Sequence, residues 1–218
     1  MAGRTVHYTL GVLLARDLSK AESSRFLLGS LLPDAYEKPE QRDLTHYTAR
    51  ENDLVWFDFS AFFAAFGNEI RTDPLYLGYY LHLVEDDLHR RMIHGRYGDR
   101  LTPKNDADVE ILYRDYHLLN RYLTDAYGLK NELILPPDFD RLPLNDRVPL
   151  DAACMIAALD ADLHETATGD PAWVTPEMFE TFIADSLPVL RAEMAAARNG
   201  RPTLTAKDFA WKRHSRYN

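Results

Sequence analysis

The residues most able to carry chemistry lie in the segment 75–89, where histidines and acids alternate with apolar residues. At 100° per residue, His82, Asp86 and His89 share a ~60° arc of one helical face. Gly78 lies one turn before His82 on that face and leaves room for an ion or a substrate. Imidazoles and carboxylates on a buried face need partners, and one metal ion can satisfy several of them. The spacing indicates either a metal site or a simple His–Asp pair on a solvated face.

Upstream of this segment, three further positions offer groups of the same kind. A Pro-Asp pair places the Asp34 carboxylate directly after an apolar helix, and a Thr-His pair places the His46 imidazole in a short connection beyond it. His7 begins an H-x-x-x-G pattern that ends at Gly11. Taken singly, Asp34 also fits a turn residue, His46 a capping or core histidine, and His7 a helix cap.

In this order the pieces resemble the zinc-dependent phospholipase C family, which shares its helical fold with single-strand-specific zinc nucleases. The match covers roughly residues 7–90 and consists of His7, Phe26-Leu27-Leu28-Gly29 leading to Pro33-Asp34, Thr45-His46, and Gly78-Tyr79-Tyr80-Leu81-His82 with Asp86. The resemblance implies a hydrolase that cleaves a phosphoester with a metal-activated water. It also implies that Asp34, His46, His82 and Asp86 hold one Zn²⁺.

The implied ligands are chemically consistent with this activity. Two imidazoles and two carboxylates form a nitrogen and oxygen donor set that suits zinc and is also compatible with iron or manganese. The two carboxylates neutralise a divalent ion, which can still polarise a phosphoryl oxygen and acidify a water. Asp34 is the candidate catalytic residue, as proton acceptor, because its loop position is expected to face the open side. Tyr47 and Tyr79 flank the ligands and either bind substrate or pack behind the site.

The chain departs from the family at its second ion. Family members are exported and cleaved, and the new terminal amine binds that ion beside the histidine that matches His7. Six residues precede His7 here, and no cleavage signal is recognisable. One or two Zn²⁺ ions are therefore expected, with His7 either joining Asp86 at the second ion or capping the first helix.

A third subsite of the family also differs. It uses a later histidine and an H-x-x-x-E pair, but His117 is followed four residues on by Arg121. A third subsite would need substitutes, and those available are His89 or His94 as the histidine and Asp115 or Glu110 as the acid. Of these, His89 is the candidate ligand closest to the main site in sequence.

Other enzyme classes lack their signatures. The His-Asp dipeptide of HD-type phosphohydrolases does not occur, and His164-Glu165 does not continue into an H-E-x-x-H protease motif. Phosphate-binding glycine loops and the G-x-S-x-G motif are absent. The alternative to an enzyme is a metal-stapled helical bundle that binds a partner or small ligand without catalysis.

Helical spacing dominates the sequence and predicts an all-α, multi-helix bundle that forms a single domain over residues 1–218. The predicted helices cover roughly 7–18, 21–32, 56–66, 73–90, 107–127, 149–167 and 176–198, followed by a short basic C-terminal helix. Residues 131–149 contain four prolines. This segment is predicted to be an ordered connection or lid, and it is the only candidate for an internal boundary.

Composition limits the partners. The chain has 218 residues and a formal charge of −9, so long nucleic acid is not expected as a partner. The resemblance implies a small phosphoester as the substrate, and the sequence leaves its identity open. Lys207, Lys212, Arg213, His214 and Arg216 form a basic stretch that is either a solvated helix end or an electropositive wall near a phosphate site.

Compartment and cysteine content are also informative. No apolar run approaches the ~20 residues of a membrane span, so no integral membrane segment is expected. The protein is expected to be cytoplasmic. The single cysteine, Cys154, excludes a four-thiolate zinc site and is expected to be a small core residue. The sequence leaves the oligomeric state open.

Overall fold

The computed structural model describes residues 3–147 and 150–212, and most of them are helical. The helices are α1 (Arg4–Leu14), α2 (Lys20–Gly29), α3 (Arg42–Thr45), α4 (Phe59–Thr72), α5 (Pro74–His89), α6 (Gly95–Leu101), α7 (Asp106–Tyr127), α8 (Ala152–Leu163) and α9 (Pro176–Arg198). A π-helical turn, Arg90–His94, joins α5 to α6. The strands are β1 (Thr48–Glu51), β2 (Leu54–Phe57) and β3 (Trp211–Lys212).

The predicted helical class holds for the greater part of the described chain, and the best predicted helices are those with clear caps. α5 begins after Asp73, whose side chain accepts the Leu75 N–H, with proline at the first helical position. α9 runs over the predicted span with Pro176 at its start. The helix predicted at 149–167 is shorter and ends at Leu163.

A small antiparallel sheet was not predicted. β1 pairs with β2, and β2 pairs with β3, in the order β1-β2-β3. Trp56 and Phe57, predicted to begin a helix, lie in β2, so that prediction was wrong. The helix begins only at Phe59, after Asp58 accepts the Ala61 N–H as N-cap. The all-α prediction is therefore correct for the helices, which make up most of the described chain, and wrong for this small sheet.

Helix α5 lies at the centre of the fold. Every residue from Leu75 to His89 is buried, and the helix contacts α2, α4 and α9. Helix α1 packs against α7, α8 and α9. Because α5 has no solvent-exposed face, its polar residues must find partners inside the protein.

The proline-containing segment packs onto the rest of the protein. Leu133, Phe139, Leu142 and Leu144 belong to the same buried apolar cluster as residues of α5. These contacts attach the segment to the core, and the single domain and the boundary at 131–149 stay predictions; positions 148 and 149 lie outside the described residues.

Two predictions near the ends of the fold need correction. The basic C-terminal helix does not form where the chain is described: Ala206–Phe209 is a 3₁₀ turn, and β3 follows it. Arg213, His214 and Arg216 lie outside the described residues. Cys154 is exposed on α8 rather than part of the core.

Candidate metal centre

Two glycines allow α2 and α5 to approach at backbone distance. A Cβ atom on Gly29 would lie 2.0 Å from the Leu75 carbonyl oxygen, and one on Gly78 would lie 2.2 Å from the Phe26 carbonyl oxygen. No side chain fits at either contact. The approach brings the Ser30 carbonyl oxygen, just after α2, to 2.8 Å from His82 Nδ1.

The residues that carry the family resemblance meet at this point. Two overlapping groups have donor atoms within 4.8 Å of one another, and they consist of His7, Asp34 and His82, and of His46, His82 and Asp86. His7 comes from α1, Asp34 from the 3₁₀ turn Leu32–Asp34, and His46 from the residue after α3. Five predicted ligands, distant in sequence, are therefore neighbours in space.

Distances within the cluster suit a small cation. His46 Nε2 lies 3.3 Å from Asp34 Oδ1, 3.4 Å from His82 Nε2 and 3.5 Å from Asp86 Oδ2. His82 Nε2 lies 3.8 Å from Asp86 Oδ2. An ion with bonds of ~2.0–2.1 Å in tetrahedral geometry separates its ligand atoms by about 3.4 Å. The separations between His46 and the other three donors are close to that value, while Asp34 is grouped within 4.8 Å with His7 and His82 rather than with Asp86.

The outer nitrogen of each imidazole is fixed by a hydrogen bond. Nδ1 of His82 donates to the Ser30 carbonyl, and Nδ1 of His46 faces the Arg42 carbonyl at 3.1 Å. With Nδ1 protonated, the Nε2 atoms of both rings are lone-pair acceptors that face each other at 3.4 Å beside two carboxylates. A cation at this point, either a proton on one ring or a metal ion, is required to make the arrangement favourable.

Glu85 takes part in the cluster although the sequence did not suggest it. Its Oε2 lies 2.7 Å from His7 Nδ1, and both side chains are buried. His7 Nε2 lies 3.4 Å from Asp86 Oδ1 on the opposite side of the ring. A carboxylate behind a histidine is the arrangement that orients metal-binding imidazoles. The signal available in the sequence was only that Glu85 precedes Asp86 on a wholly buried helix.

Charge in the cluster is divided unequally between the imidazoles. Burial and the neighbouring His7 lower the pKa of His82 to about 3, so His82 is neutral at physiological pH. For His7, burial opposes protonation, but contacts with Asp86 and Glu85 outweigh it and raise the pKa to about 10. His7 thus carries a proton that a second metal ion would displace.

The two carboxylates are ionised despite their surroundings. Burial alone would raise the pKa of both groups, but His46 and His82 hold the Asp34 pKa well below its usual range. His7 and His82 do the same for Asp86. Ionised carboxylates and a neutral imidazole are the protonation states that a divalent ion requires of its ligands.

The two candidate tyrosines lie behind the histidine loop. The Tyr79 hydroxyl donates to the Thr45 carbonyl oxygen at 2.5 Å, and its ring stacks on Phe62 at 4.6 Å between centroids. The Tyr47 ring lies under the Arg147 guanidinium, 3.6 Å from its carbon. Tyr79 therefore holds the segment that presents His46, which is the packing role considered for it rather than substrate contact.

His89 and the other substitutes do not join the cluster. His89 is buried among Phe179, Phe182 and His94, and neither ring nitrogen has a hydrogen-bond partner among the described residues. The described structure thus does not group His89, a predicted ligand, with the other five. Burial lowers its pKa well below the usual range, so the ring is neutral.

One of the two acids considered for a third subsite, Asp115, binds backbone groups instead. Asp115 accepts the backbone N–H groups of Ala172, Trp173 and Val174, which fixes the segment before α9. His117 pairs with Glu165 at the surface, 2.5 Å apart. Neither residue contributes to a metal group among the described residues. The number of ions that the site binds stays a prediction.

Comparison with known proteins adds no assignment: no family model, curated protein or solved structure matches this chain. None of the helices among residues 3–147 and 150–212 combines the length and apolar character that crossing a membrane requires.

Proposed function

We propose that this protein is a metal-dependent hydrolase that cleaves a small phosphoester through a metal-activated water. The observation that carries the proposal is the convergence of Asp34, His46, His82 and Asp86: His46 Nε2 lies 3.3–3.5 Å from a donor atom of each of the other three, and His82 Nε2 lies 3.8 Å from Asp86 Oδ2. These are the residues that the resemblance to zinc-dependent phospholipase C names as ligands. Their meeting in one place supports the resemblance beyond the order of its motifs.

The donor set suits Zn²⁺ best, and iron or manganese is also compatible with it. Asp34, His46, His82 and Asp86 would hold the first ion. Asp86 has one oxygen toward His46 and the other toward His7, so Asp86 and His7 would belong to a second ion if two are bound. A bound divalent ion polarises a phosphoryl oxygen and lowers the pKa of a water.

Asp34 marks the side from which a substrate reaches the cluster. Its side chain is 11% exposed, whereas those of His7, His46, His82 and Asp86 are fully buried. Its Oδ1 atom points inward and has no hydrogen-bond partner among the described residues. Because its pKa is held low, Asp34 binds a proton weakly, so this geometry supports a ligand role more than the predicted role of proton acceptor.

The proposal is tested with the purified full chain. Metal content is measured by elemental analysis, and hydrolysis of p-nitrophenyl phosphate and bis(p-nitrophenyl) phosphate is measured before chelation, after chelation and after Zn²⁺ is restored. We expect about one or two transition-metal ions per chain and activity that follows the metal. Asp34→Asn should lose both, while Asp140→Asn, at an exposed aspartate, should keep both.

The second candidate function is a metal-stapled bundle without catalysis. The complete burial of three imidazoles and Asp86 favours it, because a structural ion is closed off from solvent. Bound metal with no activity on either ester would support this candidate against the hydrolase. A metal-free protein whose thermal stability is unchanged by chelators would reject both.

A further inference from the structure

A polar cavity lies at the carboxyl end of α5, apart from the candidate metal centre. Its volume is about 560 Å³, and its walls include Arg90, Arg91 and His94 of the π-helical turn and Phe209, Trp211 and Lys212 of the C-terminal segment. π-helical turns are rare and recur at functional sites. This turn places two guanidinium groups and an imidazole around one space.

The two arginines of this cavity are held by aromatic rings. The Arg90 guanidinium carbon lies 4.4 Å from the centre of the Trp211 ring, and that of Arg91 lies 5.5 Å from the centre of the Phe209 ring. Neither guanidinium has a carboxylate within ion-pair distance among the described residues. A guanidinium over a ring face is attracted to it and keeps its N–H donors available.

The cavity has an excess of positive charge. Lys212 also lines it and has a distant surface partner, Asp53, at 3.8 Å with both side chains 64% exposed. Asp208 is the carboxylate among its described lining residues, so three cations stand against one acid. Burial lowers the pKa of His94 to about 3, which makes its ring a neutral hydrogen-bonding group there. Such a concentration of cations on a chain of charge −9 needs a counter-charge.

The cavity is a close neighbour of the candidate metal centre. Phe57 contacts His46 on one side, with ring centroids 5.5 Å apart, and Trp211 on the other, 5.1 Å apart. Arg90, the first residue after α5, follows Asp86 by four residues, and Asp86 and Asp87 both act electrostatically on it. One aromatic layer therefore separates the cations from the ligand cluster.

We propose that this cavity binds a phosphate anion that carries two or more negative charges. Planar guanidinium groups match phosphate oxygens with paired hydrogen bonds, and two of them with an ammonium group can neutralise a dianion. Small monocarboxylates would leave part of this charge uncompensated. Phosphate binding here does not require the metal centre, so the two sites can be tested separately.

Calorimetric titration of the full chain with pyrophosphate tests the site. We expect Arg91→Gln to weaken binding about tenfold or more, because each charge-assisted hydrogen bond to a phosphate is strong. Arg16→Gln removes the same charge at an exposed position between α1 and α2 and should leave binding unchanged. Pyrophosphate should also change tryptophan fluorescence in the wild type and not in Trp211→Phe.

The metal centre could bind pyrophosphate too, and Asp34→Asn separates the two sites. Binding that persists in Asp34→Asn and is lost in Arg91→Gln supports the cavity as the anion site. Binding that is lost in Asp34→Asn and unchanged in Arg91→Gln assigns the anion to the metal centre and overturns the proposal. No measurable binding in the wild type overturns it as well. Circular dichroism of each variant verifies that the comparison is made between folded proteins.

Discussion

The imidazoles of His7 and His82 stack face to face, with ring centroids 3.9 Å apart and planes 19° from parallel. Two protonated rings cannot remain at this distance without strong repulsion, so one of the pair must be neutral. The acids Glu85 and Asp86 place the proton on His7, while burial and the charged His7 keep His82 neutral. His82, shared by both donor groups, is therefore ready to bind a metal without first losing a proton.

Removal of the shared imidazole should abolish metal binding. His82→Ala takes away the donor common to both groups, and we expect less than about a tenth of the wild-type metal content by elemental analysis. His164→Gln changes an exposed histidine and should retain the full content. Full metal occupancy in a folded His82→Ala protein would mean that the ligands are assigned wrongly.

Neutralising the acid behind His7 should weaken metal binding without unfolding the protein. Glu85→Gln keeps the side-chain shape and loses the charge that sets the orientation and basicity of His7. The loss of a carboxylate behind a ligand commonly costs 10–100-fold in metal affinity, and a decrease of about tenfold is expected in a chelator competition assay. Glu40→Gln, at an exposed glutamate, is the matched control. An unchanged affinity would exclude His7 from the metal site.

The buried carboxyl of Asp87 should make stability fall as pH rises. Burial is the main cause that raises its pKa from 3.8 to about 9, so the folded state keeps a proton that the unfolded state has lost. Between those values unfolding releases this proton, and stability falls by about 1.4 kcal/mol for each pH unit.

Asp87→Asn removes this titration and should make the slope shallower by about 1.4 kcal/mol per pH unit, while the fall that His7 contributes above pH 6.5 remains. Urea denaturation of chelated protein at pH 6 and pH 8 measures the slope, with Asp140→Asn as the exposed control. Parallel losses of stability in Asp87→Asn and wild type over this range would show that Asp87 is not protonated in the folded state.

The glycine contact between α2 and α5 should not accept any side chain. Gly78→Ala drives a methyl group into the Phe26 carbonyl and the Ser30 amide, and a loss of about 3 kcal/mol or more in the free energy of unfolding is expected. Gly95→Ala has no atom within 4 Å of the added carbon and should stabilise by about 0.5–1 kcal/mol. Equal stabilities for the two variants would contradict the close approach.

The sequence reveals the parts of the site that lie on one continuous element. Asp73 as N-cap and Pro74 as first helical residue mark the start of α5 in the sequence. His82 and Asp86 are four residues apart on this helix, so helical geometry alone places them together. His7, Asp34 and His46 come from separate elements, and only the resemblance to a family joins them to α5. Glu85 was not predicted as a site residue because its partner, His7, lies on another helix and no local sequence pattern marks such a pair.

The missed sheet has a local explanation. Aromatic residues from Trp56 to Phe66 repeat at helical intervals, and this pattern continues through the boundary between β2 and α4. The better indicators were the Asn52-Asp53 turn, where Asn52 has a positive φ of 54°, and the N-cap at Asp58. These short-range signals define where β1, β2 and α4 begin and end, while the aromatic spacing reports only burial.

The acceptors that orient His82 and His46 are main-chain carbonyl oxygens, those of Ser30 and Arg42. A carbonyl oxygen belongs to every amino acid, so replacing the side chain at position 30 or 42 leaves that hydrogen bond available. Two outer contacts depend on side-chain identity, that of Glu85 with His7 and that of the Thr45 hydroxyl, which lies 3.1 Å from His46 Nδ1. The outer contact of His82 is thus inherited from the backbone path and tolerates any side chain at position 30, whereas His46 has one backbone and one side-chain partner.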